Sequence, residues 1–162
     1  MQSELDKLHG VAFLLGSLAH ASEKNLGQSS LSICMLAGKK FGREAVEETE
    51  QTEDPVRAVE ILRQALEKRG IHWDFEPFQG EEDTLISGVE GRQVMRLVFR
   101  TCMVRNALFR YAHPQKQSLC YMAHGVFAGA MERVMPGRTV HLEILHAGPN
   151  ACLKEMILEV EE

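Results

Sequence analysis

The chain has 162 residues, 44% hydrophobic and 25% charged, with a formal net charge of −5. That length suits one domain, or a domain with an arm, and is enough to bury a true core. A mildly acidic chain without a Lys/Arg stripe argues against direct contact with nucleic acid.

Residues 2–50 read as helix. Leu5, Leu8, Val11, Ala12, Leu15 and Leu18 recur at helical spacing, and Leu31, Cys34, Met35, Gly38, Phe41 and Val46 resume it after a break at Asn25, Leu26 and Gly27. Residues 11–21 are apolar like a signal-peptide core, but Glu4 and Asp6 stand before them where basic residues belong. The run is also too short to span a membrane. The expectation is a cytoplasmic protein with no membrane span. Lys39, Lys40 and Arg43 form the nearest basic cluster and read as a solvated helix face. Residues 44–53 are acidic, a helix end running into a loop. Asp54 and Pro55 then supply an N-cap and a first-turn proline, Ala58, Val59, Leu62, Ala65 and Leu66 a stripe, and Gly70 the stop.

The middle changes period. Residues 71–78, with Trp73, Phe75 and Phe78, and residues 93–100, with Val94, Leu97, Val98 and Phe99, suit strands, with 84–89 a short strand between them. A helical pattern returns over 101–112, His113 and Pro114 break it, and 115–135 makes a longer helix ended by Pro136 and Gly137. Residues 138–146 and 152–160 alternate as two strands of a hairpin. The outline is α+β: an N-terminal helical layer on a small antiparallel sheet, then a long helix and a C-terminal β-hairpin. It divides as a single domain, with 1–53 a helical arm or layer and 54–162 the α+β core.

Chemistry concentrates in the last third. Four cysteines in a reducing compartment favour metal binding or burial over disulfides. Cys120 and His124, four apart, project from one helix face together with Phe127, Met131 and Val134. A regular hairpin that pairs His146 with Cys152 also pairs Leu142 with Met156 and Val140 with Leu158, keeping apolar residues on one face. It sets Glu143 opposite Glu155, a like-charge pair that needs solvent or a cation. If the hairpin mouth meets the helix face, two thiolates and two imidazoles converge, a donor mix suited to zinc or iron. Cys34 reads as a small buried hydrophobe, and Cys102, where strand turns to helix, as a further candidate ligand. His9, His20 and His72 read as surface residues, and His113 as part of a turn. Gly125 and Gly129 imply a close approach of the long helix to the sheet or to a second subunit, with clearance for a ligand above the metal as the alternative.

Residues 120–129, then Pro136, Gly137 and Arg138, then 143–148 and Cys152, resemble the 4-vinyl-reductase or hydrocarbon-binding domain family. That family includes phenol-sensing domains of bacterial transcription activators. In fold it is similar to TRAPP-complex subunits and to aminothiazoline carboxylate hydrolase-like proteins. The resemblance implies zinc held at the positions of Cys120, Glu143, His146 and Cys152. Histidine stands where the family usually has cysteine, which also admits iron, and the turn before Cys152 is short. Regular alternation turns Glu143 away from His146 and favours His124 as the fourth ligand, whereas a β-bulge near Leu145 would bring Glu143 round. Both stay open, with Cys102 an alternate.

The resemblance further implies a pocket between helices and sheet for a small apolar or aromatic molecule. Candidate wall residues are Trp73, Phe75, Phe99, Phe109, Tyr111 and Phe127. Such a domain would sense a ligand as a homodimer and act in trans on a signalling or transcription partner. Two alternatives compete with it. One is a metal-dependent hydrolase-like enzyme with Glu143 or His124 as general base. The other is an iron, heme or iron–sulfur cluster sensor of redox state or gas, with Cys102, Cys120 and Cys152 as cluster ligands. Phosphate loops and dinucleotide fingerprints are absent.

Overall fold

The structure, a computed structural model, describes residues 4–80, 86–89, 91–102, 104, 117–148 and 150–161. Helices α1 (Glu4–Leu26) and α2 (Gln28–Ala45) meet at Gly27, whose φ of +54° only glycine adopts at little cost. The expected break therefore falls where the sequence puts it. Helix α3 (Pro55–Lys68) starts as read: Asp54 is the N-cap and its Oδ1 accepts the Val56 N–H at 2.9 Å. Its stripe of Ala58, Val59, Leu62, Ala65 and Leu66 is buried.

Strands β1 (Asp74–Pro77), β2 (Ile86–Val89) and β3 (Arg92–Thr101) follow, then helix α4 (Ser118–Val134), β4 (Arg138–Ala147) and β5 (Cys152–Val160). The helix expected over 101–112 falls mostly outside the described residues, as do Phe109, Tyr111 and His113. All pairings are antiparallel, giving an α+β fold with strand order β1-β3-β5-β4 and β2 beside β3. β1 and β2 share one edge of β3, at opposite ends of it. The hairpin is thus joined to the meander through β3 and β5, a long-range pairing that local pattern does not encode.

The α2–α4 packing is the most extensive helix contact, and glycine makes it close. A Cβ added at Gly38, Gly42, Gly125 or Gly129 would stand 2.1–2.2 Å from a carbonyl oxygen of the facing helix. The close approach read from Gly125 and Gly129 is real, but its partner is helix α2 and not the sheet or a second subunit. Charge fixes the same interface. Glu132 of α4 binds Lys39 Nζ at 2.6 Å and an Arg43 nitrogen at 2.9 Å, both from α2. Glu23 of α1 accepts the Ser118 N–H at 2.9 Å and the Ser118 hydroxyl, capping α4 from another helix.

Under α4 lies an aromatic core. Phe75 and Phe99 stack with centroids 5.4 Å apart, and Phe127 meets them edge-on at 4.6 and 5.1 Å. Met95, Leu97, Met131, Met156 and Leu158 are buried with them.

Candidate functional site

The inward face of β5 carries Cys152, Lys154, Met156 and Leu158, every second residue, all buried. On β4 the expected register holds from Val140 opposite Leu158 through Leu142 opposite Met156 to Ile144 opposite Lys154. It then shifts. A bulge at Leu145 leaves His146 opposite Leu153 and Ala147 opposite Cys152. The expected His146–Cys152 pair is therefore corrected: the bulge turns the imidazole to the outer face, with Leu145 itself 46% exposed. Glu143 is opposite Glu155 on that same outer face, and both Glu143 and His146 are exposed. The cation that this pair of carboxylates calls for is Arg96 of β3, its Nε 3.8 Å from Glu155.

The inner side gathers a different set. Cys102 follows β3, Cys120 and His124 come from α4, and Cys152 from β5. Lys154 of β5 is 4% exposed, its Nζ 4.4 Å from the centre of the Phe99 ring. Burial pushes the Lys154 amine down from its ordinary value, and the charges that act back on it are those of Cys102, Cys120 and Cys152. His124 is 5% exposed, and burial, then the Lys154 charge, push it down to about 3. It is a neutral imidazole at physiological pH, and its Nε2 has no hydrogen-bond partner among the described residues.

The four positions at which the resemblance implies zinc thus lie on two faces of the sheet, Glu143 and His146 outside, Cys120 and Cys152 inside. The residues present do not fit that centre. The alternates His124 and Cys102 are both buried. Among the described residues, no group of three or more His, Cys, Asp or Glu side chains is arranged to hold a metal ion. Lys154 is the residue that motif reading passes over. Its signal was available: a lysine two residues from Cys152 and from Met156, on the inward phase of an otherwise apolar strand face.

A cavity of about 410 Å³ opens above α4, away from this cluster. Helix α4 gives it Leu119, Met122, Ala123 and Val126, one helix face over from Cys120 and His124. Ala12 and Leu15 of α1, Phe41 of α2 and Leu66 of α3 close other sides, with Ile71, Trp73 and Val104. The walls are apolar. Trp73 brings the exception, an indole N–H that is buried and has no partner among the described residues. Of the aromatic residues expected at a pocket, Trp73 lines this one, while Phe75, Phe99 and Phe127 pack on one another beneath it. Larger grooves of about 560 and 630 Å³ beside α3 are lined mainly by charged and polar side chains such as Glu47, Arg57, Glu60 and Arg63.

The fold is similar to α+β architectures of known structure. It is similar to the phenol-responsive sensory domain of the transcription activator PoxR bound to phenol, with a TM-score of 0.63 at 14% identity over 90% of this chain and 73% of that one. It also aligns with a trafficking protein particle complex subunit 3 from Naegleria fowleri covalently bound to palmitic acid, with a TM-score of 0.49 at 14% identity, covering 99% and 98% of the two chains. No protein-family profile and no curated protein sequence matches the chain. No described helix is long and apolar enough to cross a membrane.

Proposed function

We propose that the protein binds a small, mainly apolar molecule in the cavity above α4 and acts as a ligand sensor. The cavity itself carries the reading. Its volume falls in the roughly 300–1,000 Å³ range usual for small-molecule sites, and its walls are apolar around the Trp73 N–H, which has no partner among the described residues. A buried N–H without a partner costs on the order of 1–3 kcal/mol, so a ligand oxygen that accepts from Trp73 would recover much of it. The chemistry favoured is an aromatic or aliphatic body with one hydroxyl or carbonyl. The phenol-sensing fold relative is in keeping with this class of ligand.

Trp73 is the chain's one tryptophan, so its fluorescence reports on the cavity alone. Titration with phenol, indole and 1-hexanol should change that emission saturably and raise the melting temperature, by mass action on the folded state. A flat response in both measurements across the series to millimolar concentration would remove the reading.

The sensor reading extends to a homodimer that acts on a signalling partner. Val11, Phe13, Leu14 and Leu18 of α1 and Ile33 and Leu36 of α2 are each 55–68% exposed. Apolar area of this extent on adjacent helices is what a subunit interface presents before it is covered. A second copy is the occupant proposed for it.

A further inference from the structure

We infer that the cavity above α4 selects a ligand whose oxygen only accepts hydrogen bonds, a ketone, aldehyde, ester or ether, over the alcohol or phenol of the same size. The inference rests on the cavity reading and narrows it to one ligand class. An indole nitrogen donates and never accepts. The Trp73 N–H has no partner among the described residues, and Trp73 is 6% exposed. The other described lining side chains are aliphatic apart from Phe41 and Met122, and none carries an oxygen or a charge. The helical walls add no acceptor, because their carbonyls are committed to the helix ladder. Even Leu66, near the end of α3, has its carbonyl taken by the N–H groups of Arg69 and Ile71, at 3.0 and 2.9 Å. A ligand oxygen seated on the Trp73 N–H therefore meets a donor and nothing to donate to. A carbonyl or ether oxygen needs no more than that. A hydroxyl in the same place keeps a proton whose partner in water was lost on entry. The lining residues that meet solvent are Leu15 and Met122, at 54% and 38% exposed. A hydroxyl turned to water there leaves the Trp73 N–H unpaired instead. Either pose of the alcohol strands one polar group, and the ketone strands none.

The test is calorimetric titration of the full chain with three compounds of one shape: acetophenone, 1-phenylethanol and ethylbenzene. Acetophenone should bind at least about fivefold tighter than 1-phenylethanol, the effect of one stranded polar group. Trp73→Phe should weaken acetophenone about fivefold and ethylbenzene by less than about twofold, because only the ketone uses the donor. Binding of 1-phenylethanol equal to or tighter than that of acetophenone would overturn the inference and leave the cavity reading standing. A folded Trp73→Phe that weakens ethylbenzene as much as acetophenone would overturn it too. If none of the three compounds binds up to millimolar concentration, the cavity reading fails and this inference with it. If Trp73→Phe does not fold, the wild-type ratio of ketone to alcohol decides alone.

Discussion

Gly125→Ala tests the packing that positions the cavity. Alanine is the better helix former by about 1 kcal/mol, so on local grounds the change should stabilise. The structure reverses the sign. The new Cβ would stand 2.2 Å from the Met35 carbonyl oxygen, 2.9 Å from the Lys39 nitrogen and 3.0 Å from the Gly38 Cα. All three are backbone atoms, so no rotamer change relieves them. Ordinary contact begins near 3.4 Å, so α2 and α4 must part locally by about 1.2 Å, the difference between 3.4 and 2.2. Overpacking of this kind costs about 1–3 kcal/mol, and a backbone clash belongs at the upper end. After the helix-propensity gain, the net loss is about 2 kcal/mol. In a domain of this size that lowers the melting temperature by roughly 4–8 °C, read by circular dichroism or calorimetry. Gly10→Ala is the control. Nothing lies within 4 Å of its added Cβ, so it should be neutral or stabilising by up to about 1 kcal/mol. The double change Gly38→Ala with Gly125→Ala should cost less than the sum, because one separation of the helices relieves both. A folded Gly125→Ala that melts at or above wild type would refute the close-packed helix pair.

Glu132→Gln should cost on the order of 1–3 kcal/mol in denaturant unfolding, since it leaves Lys39 and Arg43 facing a neutral amide in a half-buried interface. Burial pushes the Glu132 carboxyl up, but the Lys39 and Arg43 hydrogen bonds outweigh it and hold the group below its ordinary value. Its contribution is therefore complete above the unfolded carboxylate value and disappears as pH falls through the lower folded value, so the mutant should lose less stability than wild type on acidification below about pH 4.5. Trp73→Phe keeps an aromatic wall but removes the donor, and should weaken phenol binding by roughly 1 kcal/mol, about fivefold, in calorimetric titration. Ala123→Leu should fill part of the cavity and abolish binding of the larger probes while the fold persists; undiminished binding of indole would place the ligand elsewhere. Leu14→Asp combined with Leu18→Asp should give a monomer by light scattering where wild type is a dimer, and a wild type that is monomeric at every concentration would end the interface proposal.

Most of the elements could be read from the sequence because each carries its own punctuation. Gly27 separates two helices, Asp54 and Pro55 open a third, and the strand read over 152–160 matches β5 to the residue. The hairpin register was legible as far as Ile144, since a slip there would turn Val140 and Leu142 to water. Beyond it the apolar code thins out, and the turn has to close around Gly148, whose N–H bonds the Ala151 carbonyl at 2.9 Å. One residue is left over, it bulges at Leu145, and His146 changes face. Spacing cannot reveal this, because a bulge moves side chains without altering the count of residues between them. The pairing of β3 with β5 was illegible for another reason: its partners lie 50 or more residues apart, and either strand's alternation would suit another neighbour. The contacts of Gly38 with Gly125, of Gly42 with Val126 and of Gly129 with Lys39 were half legible, since glycines in a helix announce a close approach but not what approaches.

Helix α1 has two roles that bear on each other. Ala12 and Leu15 close the cavity, while neighbouring Phe13, Leu14 and Leu18 form the exposed apolar face. Its far end is latched to the rest of the fold by Glu23 at Ser118, the first residue of the helix that floors the same cavity. A ligand that contacts α1 in one docked position and not in another shifts the balance between them by the difference in its affinity. The same difference must then appear in how strongly α1's outer face engages whatever covers it, because coupling between two binding events is reciprocal. Occupancy and assembly would be two readings of a single helix equilibrium, and measuring subunit association with and without phenol would give its size.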